Sequence, residues 1–173
     1  IISHDNARSD MANGGIINMG IAQYHQAAYP EAALPELTYQ REMSLHFNGG
    51  EIELQHFSHA HTNGDTAVFF RKHNAVHLGD VFNNSGYPFV DVGSGGGIDG
   101  MIRFCTETLA QIDEHTVVIP GHGPVTDYAR LGQYLAMLRT VRDRIQGMID
   151  DGKSLEEVSA ATPTADFDAI YGP

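Results

Sequence analysis

Apolar and polar residues change their spacing several times along the chain, and each change predicts an element. "TYQREMSLHF", a Gly-Gly pair and "EIELQHF" predict a β-hairpin. In its second arm Ile52, Leu54 and His56 share one face, and Glu51, Glu53 and Gln55 take the other. "TAVFF" and "NAVHLGD" predict two more strands with a turn at residues 72–74, followed by the glycine-rich "VGSGGGIDG". The spacing then becomes helical, because Ile98, Met101, Ile102, Cys105, Leu109 and Ile112 recur at three- and four-residue steps. "TVVIP" predicts a short buried strand. Thr126 or Asp127 is placed to cap a long helix. On that helix Leu131, Leu135, Leu138, Arg142, Ile145 and Ile149 line one side, and Gly152 ends it. "SLEE" at residues 154–157 is a capping box opening a last short helix.

The first 40 residues are less regular. "IISHDNARSDM" reads as the end of a strand running into a helix, with Asp5 as the cap. Residues 12–37 lack clean periodicity and contain Gly and Pro, which predicts a long loop with one short helix. Strands first, then strands and helices in alternation, imply an α/β domain with a sheet covered by helices, a single domain over residues 1–173.

Composition narrows the partners. Ten Lys and Arg stand against 22 Asp and Glu, for a formal charge of -12. Such a chain repels a phosphate backbone, so nucleic acid is not an expected partner. No apolar run approaches the roughly 20 residues of a membrane helix, so no membrane partner is expected. The single cysteine, Cys105, excludes an internal disulfide and a cysteine-based zinc site, and its place on an apolar helix face marks it as a core thiol.

Ten histidines remain, several of them clustered. "QHFSHAHTNGDT" at residues 55–66 carries three of them. His59 and His61 fit the first half of the dinuclear metal signature H-x-H-x-D-H, but its second half falls on Asn63 and Gly64. Glycine has no side chain and asparagine is a poor zinc ligand, so this is not that signature. The stretch reads better as "HTNGD", a histidine entering a tight turn. Downstream, "HLGD" places Asp80 just past one predicted strand, and "IPGHG" places His122 just past another. His61, Asp80 and His122 thus leave strand ends that can meet at one rim of a sheet. Imidazole and carboxylate donors suit Zn²⁺, Fe²⁺ or Mn²⁺.

The neighbouring groups read as structural. His56 packs on its strand, His59 lies at the surface, and Asp65 holds its own turn. His4, His25, His46, His73, His77 and His115 have no matching spacing. The glycine loop at residues 93–97 lacks the Lys and Ser/Thr of a phosphate loop, and reads as a wall beside the site.

"HTNGD", "HLGD" and "PGHG" in this order resemble the third, fourth and fifth metal motifs of the metallo-β-lactamase superfamily. The stretch "NNSGYPFVDVGSGGGIDGMI" is similar to its glyoxalase II-like hydrolase branch. The resemblance implies two zinc ions, with iron or manganese as substitutes. His61 would bind the first ion, Asp80 would bridge both, and His122 would bind the second. It implies hydrolysis of a small ester, thioester or similar substrate by metal-bound hydroxide. Asp80 stands where many dinuclear β-lactamases carry cysteine, which points away from β-lactams. A bacterial cytoplasmic or periplasmic setting is implied, with no choice between the two.

H-x-H-x-D-H itself occurs nowhere in the chain. The resemblance therefore implies a partial αββα sandwich, the second half of the fold, with no residue assignable as general base. Each ion would have two protein donors where a catalytic zinc has three. The expectation is a truncated domain that holds metal weakly and hydrolyses poorly. Half a sandwich leaves apolar area bare, so a non-catalytic homodimer, or pairing with a missing N-terminal fragment, is the alternative. A phosphodiesterase or nuclease is disfavoured by the acidic balance.

Overall fold

The computed structural model describes residues 1–18, 20 and 22–172. Its centre is a six-stranded sheet in the order β10-β9-β8-β7-β6-β5. The strands are β5 (Glu42–Phe47), β6 (Gly50–Gln55), β7 (Ala67–Phe70), β8 (Ala75–His77), β9 (Val117–Ile119) and β10 (Thr126–Asp127). Neighbours pair antiparallel except β8 and β9, which are parallel with Ala75 opposite Val117. The β5–β6 hairpin is the one expected from the alternation. It turns at Asn48 and Gly49, both in the left-handed region, which Gly and Asn tolerate best. Its predicted first arm is divided: β4 (Leu37–Tyr39) is separate and pairs parallel with β1 (Ile2–His4).

Two helices lie on one face of this sheet. α2 (Ile98–Leu109) is the crossover between β8 and β9, and α3 (Tyr128–Asp150) follows β10. Phe69, Val76 and Val118 of the sheet are buried against Met101, Phe104 and Cys105 of α2 and Leu131, Tyr134 and Leu138 of α3. Each such apolar side chain contributes about 1.5–3 kcal/mol by leaving water. Cys105 is a buried free thiol, and burial pushes its pKa up to about 12. Asp127 caps α3, its side chain accepting from the Arg130 amide. The apolar stripe of α3 is only half a core stripe. Leu131 to Leu138 are buried, whereas Ile149 is exposed where the helix runs past the sheet. The capping box at Ser154 and Glu157 opens α4 (Leu155–Ala160), and α5 (Asp168–Tyr171) closes the chain's order of elements.

The opposite sheet face is also apolar. Register places Met43, Leu45, Ile52, Val68, Phe70 and Ile119 on it, with Phe47 and Val117. Phe47 and Val117 are exposed, and the other six are only partly buried.

Two early expectations are corrected. His4, not Asp5, caps α1 (Asp5–Asn13): its Nδ1 accepts from the Asn6 amide at 3.1 Å, and its Nε2 donates to the Gln40 carbonyl at 2.7 Å. Residues 12–37 are not a loop with one helix. Gly14 turns the chain at φ 67° into a hairpin of β2 (Gly15–Asn18) and β3 (Gln23–Gln26), followed by a short 3-10 turn at Glu31–Ala33. Among the described residues no helix is long and apolar enough to cross a membrane.

Candidate metal centre

β6, β8 and β9 run in one direction, so their C-terminal ends share a rim of the sheet. His61 lies in the loop after β6. Asp80 lies in the 3-10 turn Gly79–Val81 after β8, and His122 follows β9. The structure brings all three together. His122 Nε2 stands 3.3 Å from Asp80 Oδ1, and His61 Nε2 stands 3.7 Å from Asp80 Oδ2. One carboxylate thus faces an imidazole nitrogen at each of its oxygens.

Backbone bonds fix this placement. The Gly121 amide donates to the Gly79 carbonyl at 2.8 Å and to that of Phe82 at 3.1 Å, and the Asn84 amide donates to the His122 carbonyl at 2.9 Å. The loops after β8 and β9 are therefore closed onto each other. A Cβ at Gly121 would overlap Asp80 Oδ1, so only glycine admits this approach.

His61 is oriented from behind. Its Nδ1 lies 2.9 Å from the Phe89 carbonyl. A carbonyl only accepts, so Nδ1 carries the proton and Nε2 presents its lone pair towards Asp80. Its turn is held by Asp65, whose carboxylate accepts from the amides of Thr62 at 2.9 Å and Ala60 at 3.2 Å. Burial raises the Asp65 pKa, against the opposing pull of those bonds and of His61. Asp65 is a turn residue, as expected. His56 is half-buried and bonded through Nδ1 to the Asp65 carbonyl at 2.7 Å, while His59 is exposed.

Two contributors escaped the motif reading. Phe89 acts through its carbonyl, which leaves no mark in a sequence. Asp91 does leave one, since an Asp two and three residues ahead of "GS" can bond their amides. Its Oδ1 accepts from the amides of Asn18 at 2.7 Å, Gly93 at 3.0 Å and Ser94 at 3.2 Å, and its Oδ2 accepts from Ser94 Oγ at 2.6 Å. Its own amide donates to the His61 carbonyl at 2.9 Å. Asp91 thus joins the β2–β3 hairpin, the glycine loop and the His61 turn. The glycine loop is a wall, as its composition implied. It lines, with the three donors and the hairpin, a cavity of about 800 Å³.

The donors suit zinc in kind, being two imidazole nitrogens and a carboxylate. They do not suit it in number. Among the described residues no group of three or more His, Cys, Asp or Glu side chains is gathered to hold one ion. The two contacts above are pairs, and a catalytic zinc takes three protein ligands. This donor set alone does not make a catalytic metal centre.

No family model matches the sequence, and no curated protein matches it. Solved structures do. A metallo-β-lactamase from Pontibacter korlensis aligns with a TM-score of 0.55 and 17% identity, over 62% of this chain and 50% of that one. The BLEG-1 B3 metallo-β-lactamase aligns with a TM-score of 0.59 and 17% identity, over 79% of this chain and 64% of that one. The stereoselective inverting sec-alkylsulfatase Pisa1 from Pseudomonas sp. aligns with a TM-score of 0.57 and 16% identity, over 79% of this chain and 22% of that one. The chain spans about half the length of the first of these. It has, over that part, the α/β metallo-β-lactamase fold.

Proposed function

We propose that this chain is the part of a metallo-β-lactamase-fold hydrolase that carries three donors of a two-ion centre: His61 for one ion, His122 for the other, and Asp80 for both. The observation behind this is the single carboxylate faced at each oxygen by an imidazole Nε2, at 3.3 Å and 3.7 Å. The fold is shared by a lactamase and an alkylsulfatase, so it accommodates hydrolysis of more than one bond type. A small ester, thioester or similar substrate is the class we assign. A complete centre supplies Lewis-acid chemistry. No step of it belongs to this donor set alone, so the chain by itself is a weak or inactive hydrolase. Its cavity wall holds no lysine or arginine among the described residues, which speaks against a phosphodiesterase.

Calorimetric titration of the chain with Zn²⁺ tests the reading. Binding in the micromolar range or weaker is expected, and Asp80→Ala should abolish it, since that residue serves both positions. Two sub-micromolar sites would overturn the incompleteness. Binding unchanged in Asp80→Ala would overturn the donor assignment.

A second reading rests on the sheet face bearing Met43, Leu45, Ile52, Val68 and Phe70, which no element of the described chain fully covers. A second copy seated there would make a non-catalytic homodimer. Light scattering at micromolar concentration decides it, a clean monomer rejecting the dimer.

A further inference from the structure

Resting on the hydrolase reading for the identity of the reacting centre, we infer that the substrate carries an uncharged apolar arm, alkyl or aromatic, seated between the β2–β3 hairpin and Phe89. Ile16 is 56% exposed, Tyr29 42% and Phe89 43%. Singly exposed apolar residues are ordinary. These three are different because all of them, with Met11 and Ile17, line the same cavity, which opens onto His61, Asp80 and His122. At about 800 Å³ it lies within the range of small-molecule sites, which combine apolar walls with a few convergent polar groups.

The wall is built, not incidental. One end of the hairpin is tied to the glycine loop by the Asn18 amide on Asp91 and by the Val92 amide on the Asn18 carbonyl at 2.9 Å. At the other end Gly14, which caps α1 with its amide on the Asp10 carbonyl, leads directly into β2, and just past β3 the Tyr29 amide donates to the Met11 carbonyl, each at 2.8 Å. A Cβ at Gly93 would overlap the Ile16 carbonyl, so the loop and the hairpin meet backbone to backbone.

Charge sets the arm's other property. Among the described residues the charged groups lining the cavity beyond the donors are Asp10 and Asp91. Asp91 is saturated by four donors. Away from the donors no lysine or arginine among the described residues lines the cavity to pair an anionic arm, and an unpaired anion beside Asp10 is repelled. The hairpin is therefore the specificity element, and apolar length is what it reads.

Two titration series test this on the whole chain. In the first, metal-free protein in chelator is titrated with straight-chain alkanols from butanol to octanol. Affinity should rise about fourfold per added methylene. Ile16→Ser, at a position already 56% exposed, and Ile17→Ser should each flatten the rise. Ile170→Ser, at an exposed site outside the cavity, should leave it unchanged. Affinity independent of length, or a rise unaltered by Ile16→Ser and Ile17→Ser, would overturn the inference. In the second, p-nitrophenyl esters from acetate to octanoate are offered with Zn²⁺, and kcat/KM should climb with chain length. Alkanol selectivity together with Zn²⁺ binding unchanged in Asp80→Ala keeps this inference and sinks the hydrolase reading. Turnover indifferent to length does the reverse.

Discussion

Replacing Asp91 with alanine should loosen the cavity wall without disturbing the sheet. Asp91 is 3% exposed, and its carboxylate accepts from three amides and one hydroxyl. Alanine leaves all four donors without their acceptor. Gly93 is exposed, so its amide recovers a bond to water, and the Ser94 hydroxyl can turn to another acceptor. The amides of Asn18 and Ser94 remain. Bonds to a charged acceptor contribute about 1.5–3 kcal/mol each, so a loss of about 3 kcal/mol is expected after water takes back part of it. Asparagine keeps an oxygen at the Oδ1 position and forfeits only the charge assistance, so Asp91→Asn should cost about 1 kcal/mol. Urea denaturation gives the two values. Hydrogen exchange shows where they fall: the amides of the β2–β3 hairpin should lose protection in Asp91→Ala, and those of β7 should not. A variant Asp91→Ala within about 0.5 kcal/mol of the parent, the scatter of an ordinary surface change, would refute the reasoning. So would loss of protection spread evenly over the sheet.

Two other outcomes follow from local geometry. Gly121→Ala must push the Asp80 carboxylate away from His122, because the new Cβ occupies the place of Oδ1. Zinc binding by calorimetry should weaken, and because the same Cβ also meets the Gly79 backbone carbonyl, the urea midpoint should fall as well. His56 makes stability pH-dependent. Burial lowers its pKa from 6.5, helped by nearby His4 and His59 and opposed by the Asp65 carbonyl and the Asp65 charge. The folded state then binds this proton less readily than the unfolded chain, so its contribution is full above pH 6.5 and is lost as the pH falls below it. Urea midpoints measured across that range should fall less steeply in His56→Gln than in the parent.

What could be read in the sequence was whatever its local pattern decides. The β5–β6 alternation and the helical spacing of α2 carry their own periods. The three candidate donors carry short strand-end motifs that do not depend on the rest of the chain. The β2–β3 hairpin was misread because its support is distant: Asn18 is held by Asp91, and Tyr29 by α1. Its own strands, GIIN and QYHQ, lack the apolar–polar alternation that would have marked it. The pairing of β1 with β4 failed to register for the same reason, each being three residues long and joined to its partner only through the fold. At the site, a side-chain donor can be found by type, whereas the Phe89 carbonyl that sets the His61 tautomer has no letter of its own. The half-exposed end of α3 shows the converse error, a helical stripe that outlasts the sheet beneath it.

The parallel pairing of β8 with β9 has a consequence for folding order. Ala75 and Val117 meet only after the whole α2 crossover has been laid down, whereas β5 joins β6, and β7 joins β8, through short turns. Contacts of long sequence separation close late, since the loop entropy must be lost before they form. Asp80 and His122 stand on the two sides of that late seam. In a folding chain the hairpins come first and the donor cluster last. In a fraying one, lifting β9 and β10 from the edge separates the donors while the other four strands stay paired. The cluster therefore reports that the chain has finished folding, and its loss is an early sign that the chain has begun to come apart.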